Sequence, residues 1–333
     1  MKAILPVAGV GTRLRPLTHT QPKTLVHVAG KPILGHILDR LAPVGVDEVV
    51  LIVGQWGERI VEYVEKSYPR LKVTAVEQAE RKGLGHAVYM AKDVFGAGEP
   101  ALIVLGDTIF QADLQAALTR GKSAIGVRRV PNPSQFGVVE LDGERVKRLL
   151  EKPADPPTDL AIVGIYYVRD SALLFRCLDE IIAEDIKVKG EYQLTDGLQR
   201  MIERGEELFT FPVEDWWDCG NPDILLETNR ELLERERPAA PQLQGSIVVS
   251  PVAIDPTAVI ERSVIGPYVS VAAGVTIRDS VIRDSILNEG AHVSTVLLDH
   301  SIVGEDADVR GEFSRLHIGD SSSMHLGGSG RRE

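Results

Sequence analysis

The sequence predicts an α/β unit built on a mostly parallel mixed sheet, followed by a coil of short parallel strands. Three observations carry this. Short apolar runs alternate with amphipathic ones as far as residue 130, and consecutive strand-like runs then take over. Beyond residue 245, aliphatic residues recur every five or six positions. A length of 333 residues suits two domains.

The strand-like runs of the first part are 2–8, 48–53, 71–76, 101–105 and 123–130. The first could pass for a secretory signal, but it runs into Gly9, Gly11, Arg13 and Arg15 with no small-residue cleavage site, so it reads as a strand. A helix begins near Pro32, a residue suited to a first helical turn, and places Ile33, Ile37, Leu38 and Leu41 on one face. Further helix-like stretches cover about 57–67, 85–95 and 112–120. Such a rhythm gives a sheet covered on both faces, with ligands outside the carboxyl ends of its strands.

From residue 136 the strands are consecutive: 136–141, 146–150 and 161–168, the last two separated by the Pro-rich loop 153–157. Helices return at 171–183, 195–204 and 222–236, completing an expected first domain of 1–236. Arg237-Pro238-Ala239-Ala240-Pro241 opens a linker, 237–245. In 246–320 the spaced residues are Ile254, Ile260, Ile265, Val271, Ile277, Ile282, Leu287, Val293, Leu298, Val303 and Val309. This is a hexapeptide-type repeat, in which stacked triangular coils share a core that no single short strand could bury. A sandwich would instead alternate at period two over longer runs. At three positions per coil, the series makes nearly four coils. The Ser/Gly-rich end, 321–333, is expected to be disordered.

The composition narrows the function. Two cysteines, Cys177 and Cys219, exclude a disulfide scaffold and a Cys-rich zinc site. The longest apolar stretches, such as Val49–Val53 and Ala101–Leu105, are far short of the ~20 residues of a membrane span. A cytoplasmic location is expected. The net charge of −11 argues against nucleic acid and anionic membranes as partners. It does not argue against phosphates, because residues 1–38 carry Lys2, Arg13, Arg15, Lys23 and Lys31 and no carboxylate.

That cationic segment holds the strongest motif, Ala8-Gly9-Val10-Gly11-Thr12-Arg13-Leu14-Arg15-Pro16-Leu17-Thr18, followed by Gln21-Pro22-Lys23. It directly follows the first strand. Its glycines allow close backbone approach, its N–H groups can cradle phosphate oxygens, and Arg13 and Lys23 add full charges. It is not a Walker A loop, since Thr12-Arg13 does not supply Gly-Lys-Ser/Thr. Nor is it a dinucleotide fingerprint, since Leu14 stands where the third glycine belongs. Val104-Leu105-Gly106-Asp107-Thr108 ends a buried strand with a carboxylate, and Trp216-Trp217-Asp218-Cys219-Gly220 offers a second just before a helix. Hard carboxylate oxygens suit magnesium, which commonly takes one or two carboxylates plus substrate phosphates.

The string Gly-x-Gly-Thr-Arg-x-x-Pro-x-Thr-x-x-x-Pro-Lys resembles that of the sugar-phosphate nucleotidyltransferases, and the resemblance continues in order through residue 235. It implies a Rossmann-like sheet of the nucleotide-diphospho-sugar transferase type, and a left-handed hand for the C-terminal β-helix that many members carry. It further implies that Ala8, Gly9, Gly11 and Thr12 bind the nucleotide, that Arg13, Lys23 and Lys152 are catalytic, and that Asp107 and Asp218 hold Mg²⁺. Phe136-Gly137-Val138-Val139, Glu151-Lys152-Pro153, Gly164 and the segment Gly190–Asp196 match the family's sugar side. There Thr108, Gly137, Glu151, Gly164 and Glu191 would meet the sugar, with Gln193 in place of a usual acid. Gln78 with Gly83-Leu84-Gly85 resembles the thymidylyl and uridylyl members, whose Gln reads the pyrimidine edge above a glycine. A side-chain amide can both donate and accept, which suits an imide.

Two departures bear on the substrate. Thr108 stands where thymidylyl members commonly have Asn, and Pro22-Lys23 is the form of the wider group. The expected reaction joins an NTP, dTTP or UTP in the first instance, to glucose 1-phosphate with release of pyrophosphate. Mannose-1-phosphate guanylyltransferase is the alternative within the class, and a non-catalytic regulatory subunit the alternative outside it. Cys219 reads as a packing residue, since no matched motif sets a His beside it. His292, His300 and His317 lie in the repeats, where bifunctional relatives carry an acetyltransferase, but fewer than four coils argue against that activity here. The repeats are expected to mediate homo-oligomerisation.

Overall fold

A computed structural model of the protein describes residues 1–313. The expected tail at 321–333, the end of the repeat region and His317 lie outside the described residues. In chain order the first part comprises β1 (Lys2–Pro6), β2 (His27–Val28), β3 (Lys31–Pro32), α1 (Ile33–Leu41), β4 (Glu48–Val53), α2 (Gly57–Ser67), β5 (Lys72–Glu77) and α3 (Leu84–Tyr89). Next come β6 (Ala101–Val104), β7 (Thr108–Gln111), α4 (Leu114–Thr119), β8 (Ala124–Arg129), β9 (Gly137–Asp142), β10 (Arg145–Glu151) and β11 (Leu160–Val168). The last are α5 (Ser171–Ala183), α6 (Leu194–Glu203), β12 (Phe209–Pro212), β13 (Asp215–Asp218) and α7 (Pro222–Glu236).

Nine strands form one sheet in the order β5-β4-β1-β6-β11-β8-β12-β10-β9. It is parallel across β5-β4-β1-β6 and turns antiparallel at β11. β8 and β12 are again parallel to each other, so the sheet is mixed, as expected, with only β10 and β11 running against the other seven strands. The cause is local: β9 folds back on β10 through a turn at Gly143 (φ 61°), and β11 then pairs antiparallel with β6, β8 and β9. Apart from Lys2 and Glu48 at their first positions, the central strands of the parallel half are apolar, as burial on both faces demands, and Val49–Ile52 are fully buried. Side-chain caps start the helices where the chain supplies them. Asp113, Asp170 and Asn221 accept from the backbone N–H of Ala116, Leu173 and Ile224.

Five elements differ from the reading of the sequence. The first strand stops at Pro6, which frees residues 7–11 to form the glycine-bearing loop. The helix expected over 85–95 is α3, followed by a separate 3₁₀ turn, Lys92–Val94. The four-residue strands β7, β12 and β13 are too short to show a period.

Beyond residue 245, three four-stranded parallel sheets stack around one core in the manner of a β-helix. One column runs Ile247, Val264, Val281, Leu297, and a second runs Val252, Val269, Ser285. The step from Val252 to Val269 is one residue longer than that from Val269 to Ser285, so the aliphatic spacing mixes fives and sixes in no strict alternation. Ile265, Ile277, Ile282 and Leu287 point inward with no exposure. The strand Ile247–Val248 has no counterpart in the spaced series and opens the first coil, so that four coils of three strands are complete where the spacing gave nearly four.

The coils are joined to the first part by more than the chain. Ala253 and Ile286 belong to the same apolar cluster as Val28, Ala29, Leu225 and Leu232. Asn229 of α7 is fully buried at this seam. Its Oδ1 accepts from the Ala29 N–H (2.9 Å) and the Ser270 hydroxyl (2.5 Å), and its Nδ2 donates to the Tyr268 carbonyl (3.0 Å). No helix among the described residues is long and apolar enough to cross a membrane.

Candidate active site

A cavity of about 390 Å³ opens beyond the carboxyl end of β6 and is lined by Arg13, Asp107, Thr108, Gly137, Glu151, Lys152, Gly164, Glu191 and Asp218. All nine were singled out from the sequence. A neighbouring recess of about 250 Å³ gathers Ala8, Gly9, Gln78, Gly83 and again Glu191. Leu84 and Glu191 border both spaces, so the two are lobes of one groove. Gly11 and Thr12 line neither lobe.

The loop between β1 and β2 is built around Gly11. Its φ of 60° favours glycine, and a Cβ there would stand 2.9 Å from the Lys23 Cβ. The Thr18 hydroxyl donates to the Gly11 carbonyl at 2.7 Å, closing the loop. Arg13 then leans over Gly220, where a Cβ would meet its guanidinium at 3.1 Å. The loop is thereby packed against the segment that carries Asp218.

The two aspartates are brought together by a strand pair that the sequence did not disclose. β7 and β13 form an antiparallel ribbon in which Thr108 faces Asp218, and the Cys219 N–H donates to the Asp107 carbonyl at 3.3 Å. Lys23, only 9% exposed, donates its Nζ to Asp107 Oδ2 at 2.6 Å. Burial pushes the Asp218 carboxyl above the ordinary range and the Asp107 charge adds to this, with Lys23, Arg13 and Lys152 opposing. Cys219 is fully buried with its thiol pushed up to about 12, as a packing residue would be.

On the opposite wall, Glu151 Oε2 accepts from the Thr195 hydroxyl at 2.7 Å, and the Lys152 Nζ lies 3.6 Å from Glu151 Oε1. Lys152 adopts φ 43°, an uncommon conformation for a non-glycine residue. A Cβ on Gly137 would reach 3.1 Å from Glu151 Oε2, so glycine leaves that carboxylate room. Gly83 is required for a reason the sequence did not show. Its φ is 107°, and a Cβ would lie 2.5 Å from the Tyr192 carbonyl oxygen, so its close neighbour is the segment before α6.

Sequence reasoning passed over Trp216 and Thr195 as cavity residues. Trp216 lines the cavity, packs edge-on against Phe136 with ring centroids 4.7 Å apart, and carries a buried indole N–H with no partner among the described residues. The Trp-Trp doublet beside Asp218 was the available signal.

Among the described residues, no group of three or more His, Cys, Asp or Glu side chains converges as a self-sufficient metal site. The Asp107–Asp218 pair nevertheless fits a divalent cation that draws its remaining ligands from phosphate and water. Two carboxylates are held close enough for one to raise the basicity of the other, and a hard cation would relieve that repulsion.

The fold and the site define a nucleotidyl transferase. The model of that family matches residues 2–235, and the chain belongs to it. A glucose-1-phosphate thymidylyltransferase of Streptomyces griseus is 32% identical over 98% of this chain and 99% of its own. A UTP–glucose-1-phosphate uridylyltransferase of Haloferax volcanii is 32% identical over 70% of this chain and 97% of its own. A solved UDP-glucose pyrophosphorylase in complex with UDP-glucose shares the fold, with a TM-score of 0.62 and 23% identity over 70% of this chain and 98% of that one.

Proposed function

We propose that this chain makes an NDP-sugar and pyrophosphate from an NTP and a sugar 1-phosphate, with dTTP or UTP and glucose 1-phosphate as substrates. The observation that carries this is the convergence of Arg13, Lys152, Asp218 and the Lys23–Asp107 pair on one cavity of a size to hold a sugar phosphate. The names of the full-length and first-domain relatives support the choice of substrates.

A sugar-phosphate oxygen attacks the α-phosphorus in line. The new P–O bond forms as the bond to the β-phosphate breaks, and pyrophosphate leaves with that electron pair. The attacking phosphate is already anionic, so neither a protein nucleophile nor a general base is needed. The chain's task is to bring two polyanions together and align them, worth about 7–11 kcal/mol in well-oriented systems. Arg13 grips the β- and γ-phosphates and Lys23 the transferred phosphoryl, while Lys152 fixes the attacking phosphate. Glu151 and Glu191 accept sugar hydroxyls, Thr108, Gly137 and Gly164 line that pocket, and Ala8, Gly9, Gly11, Thr12, Gln78 and Gly83 hold the nucleotide. Asp107 and Asp218 would hold Mg²⁺, which when bound neutralises phosphate charge. Lys23 must loosen its hold on Asp107 as substrate enters.

In this reading residues 1–236 are the catalytic domain, 237–245 the linker, and 246–320 a left-handed β-helix through which copies of the chain associate in the cytoplasm. Incubation with a panel of NTPs and glucose 1-phosphate or mannose 1-phosphate, with products identified by mass, tests the reaction. An NDP-sugar with stoichiometric pyrophosphate is expected. Absence of both from every combination would leave a non-catalytic subunit.

A further inference from the structure

The half-buried ring of His86 decides which atoms of Gln78 face the recess. Gln78 follows β5 and is 6% exposed. Its Nε2 lies 3.2 Å from the Gly83 carbonyl oxygen and 3.1 Å from Nδ1 of His86, on α3. A carbonyl oxygen can only accept, so the amide atom beside Gly83 must be the nitrogen. The second N–H of that nitrogen then points at His86, whose Nδ1 must be the unprotonated, accepting one. Burial, and then Lys82, lower the basicity of His86, while Glu80 opposes them; a neutral ring is what this arrangement needs. Both amide N–H groups are thus engaged. Gln78 Oε1 has no hydrogen bond among the described residues, and Gln78 lines the 250 Å³ recess.

We infer that His86 is a positioning residue that locks Gln78 as an acceptor and so selects nucleotides whose base carries a ring N–H at that edge. Uracil and thymine present N3–H, and guanine N1–H. Cytosine N3 and adenine N1 present a lone pair to the same oxygen and are rejected. A free amide could turn to donate, and this one cannot while Gly83 and His86 hold both protons. The inference rests on the proposed function, which makes the recess the base site.

The test measures kcat/KM for UTP and CTP with glucose 1-phosphate in wild type, His86→Leu and His86→Asn. His86→Leu should lower the UTP-to-CTP ratio about tenfold, mainly through KM. His86→Asn, which keeps an acceptor near the Nδ1 position, should restore most of it. An unchanged ratio in His86→Leu overturns the inference. Equilibrium binding of UTP and CTP without sugar phosphate separates the two readings: a chain that prefers UTP in binding yet forms no product keeps the lock and loses the proposed reaction. Should His86→Leu fail to fold, ¹⁵N spectra of histidine-labelled wild type decide. A His86 ring protonated on Nε2 alone supports the lock, and one protonated on Nδ1 refutes it.

Discussion

Lys23 and Asp107 stand 84 residues apart in sequence and meet through a 2.6 Å contact, with Asp107 lining the cavity and Lys23 set behind it. The lysine is almost buried and the aspartate about one-third exposed, so the two sides of the pair are unequal. Removing the lysine leaves a carboxylate that water can reach. Removing the carboxylate leaves a buried ammonium.

The pair predicts a split between activity and stability. Lys23→Ala and Asp107→Asn should each lower kcat by roughly a hundredfold or more, the scale of a lost transition-state charge contact. Urea midpoints should differ between them. Lys23→Ala should be near wild type, while Asp107→Asn should lose about 1–3 kcal/mol, because its amide oxygen can still accept from Lys23 but no longer balances the buried charge. Near-wild-type turnover by both variants would refute the assignment of this cavity.

A second prediction concerns acid. His36 is buried, with Nε2 2.8 Å from the Val28 carbonyl, and its basicity is pushed down to about 4 by burial. His27, at the seam with the coils, is likewise pushed to about 4, because burial outweighs the charge of Asp255. The unfolded chain takes up these protons near pH 6.5, and the folded chain only near 4. Stability from both groups is therefore complete above about 6.5 and falls as pH drops towards 4, by up to about 3 kcal/mol for each. Urea unfolding from pH 7 to 4.5 measures the slope, and His36→Leu should reduce it.

Asn229 gives a third. Its side chain joins the β2–β3 turn, α7 and the coils through three hydrogen bonds in a fully buried place. Asn229→Ala strands the Ala29 N–H, the Ser270 hydroxyl and the Tyr268 carbonyl, which should cost about 2–4 kcal/mol by thermal or urea unfolding. The β2–β3 turn lies six residues after Lys23, joined to it by a 3₁₀ turn and β2, so kcat should fall with it. An unchanged midpoint would mean that the seam contributes little.

These residues mark where the sequence is legible and where it is not. The loop from Ala8 to Lys23 is readable because close phosphate approach demands glycines and cations at fixed offsets. Asp107 is readable because it ends an apolar strand. Nothing local says that Asp107 and Asp218 meet. That depends on β7 and β13, four residues each, in which Asp-Trp-Trp-Asp shows no period. Asn229 lies in Glu-Thr-Asn-Arg and reads as a solvated helix face until the coils cover it. His86 is equally silent, since its part depends on a carbonyl and an amide placed by the turn at Gly83. The coil repeat, by contrast, was legible nearly throughout, because an inward aliphatic residue on every short strand is the only way such coils can bury a core.

The last prediction turns on Trp216. Its ring is held against Phe136, while its buried indole N–H lacks a partner among the described residues and sits in the cavity wall. An unmet buried donor destabilises by about 1–3 kcal/mol. Trp216→Phe keeps an aromatic ring against Phe136 and removes the donor, so it should leave the unfolding midpoint unchanged or raise it. If the N–H serves the sugar phosphate, the same variant should raise KM for that substrate about five- to tenfold and leave KM for the NTP as it was. A lowered midpoint with unchanged kinetics would make Trp216 a packing residue and return its N–H to a partner within the fold.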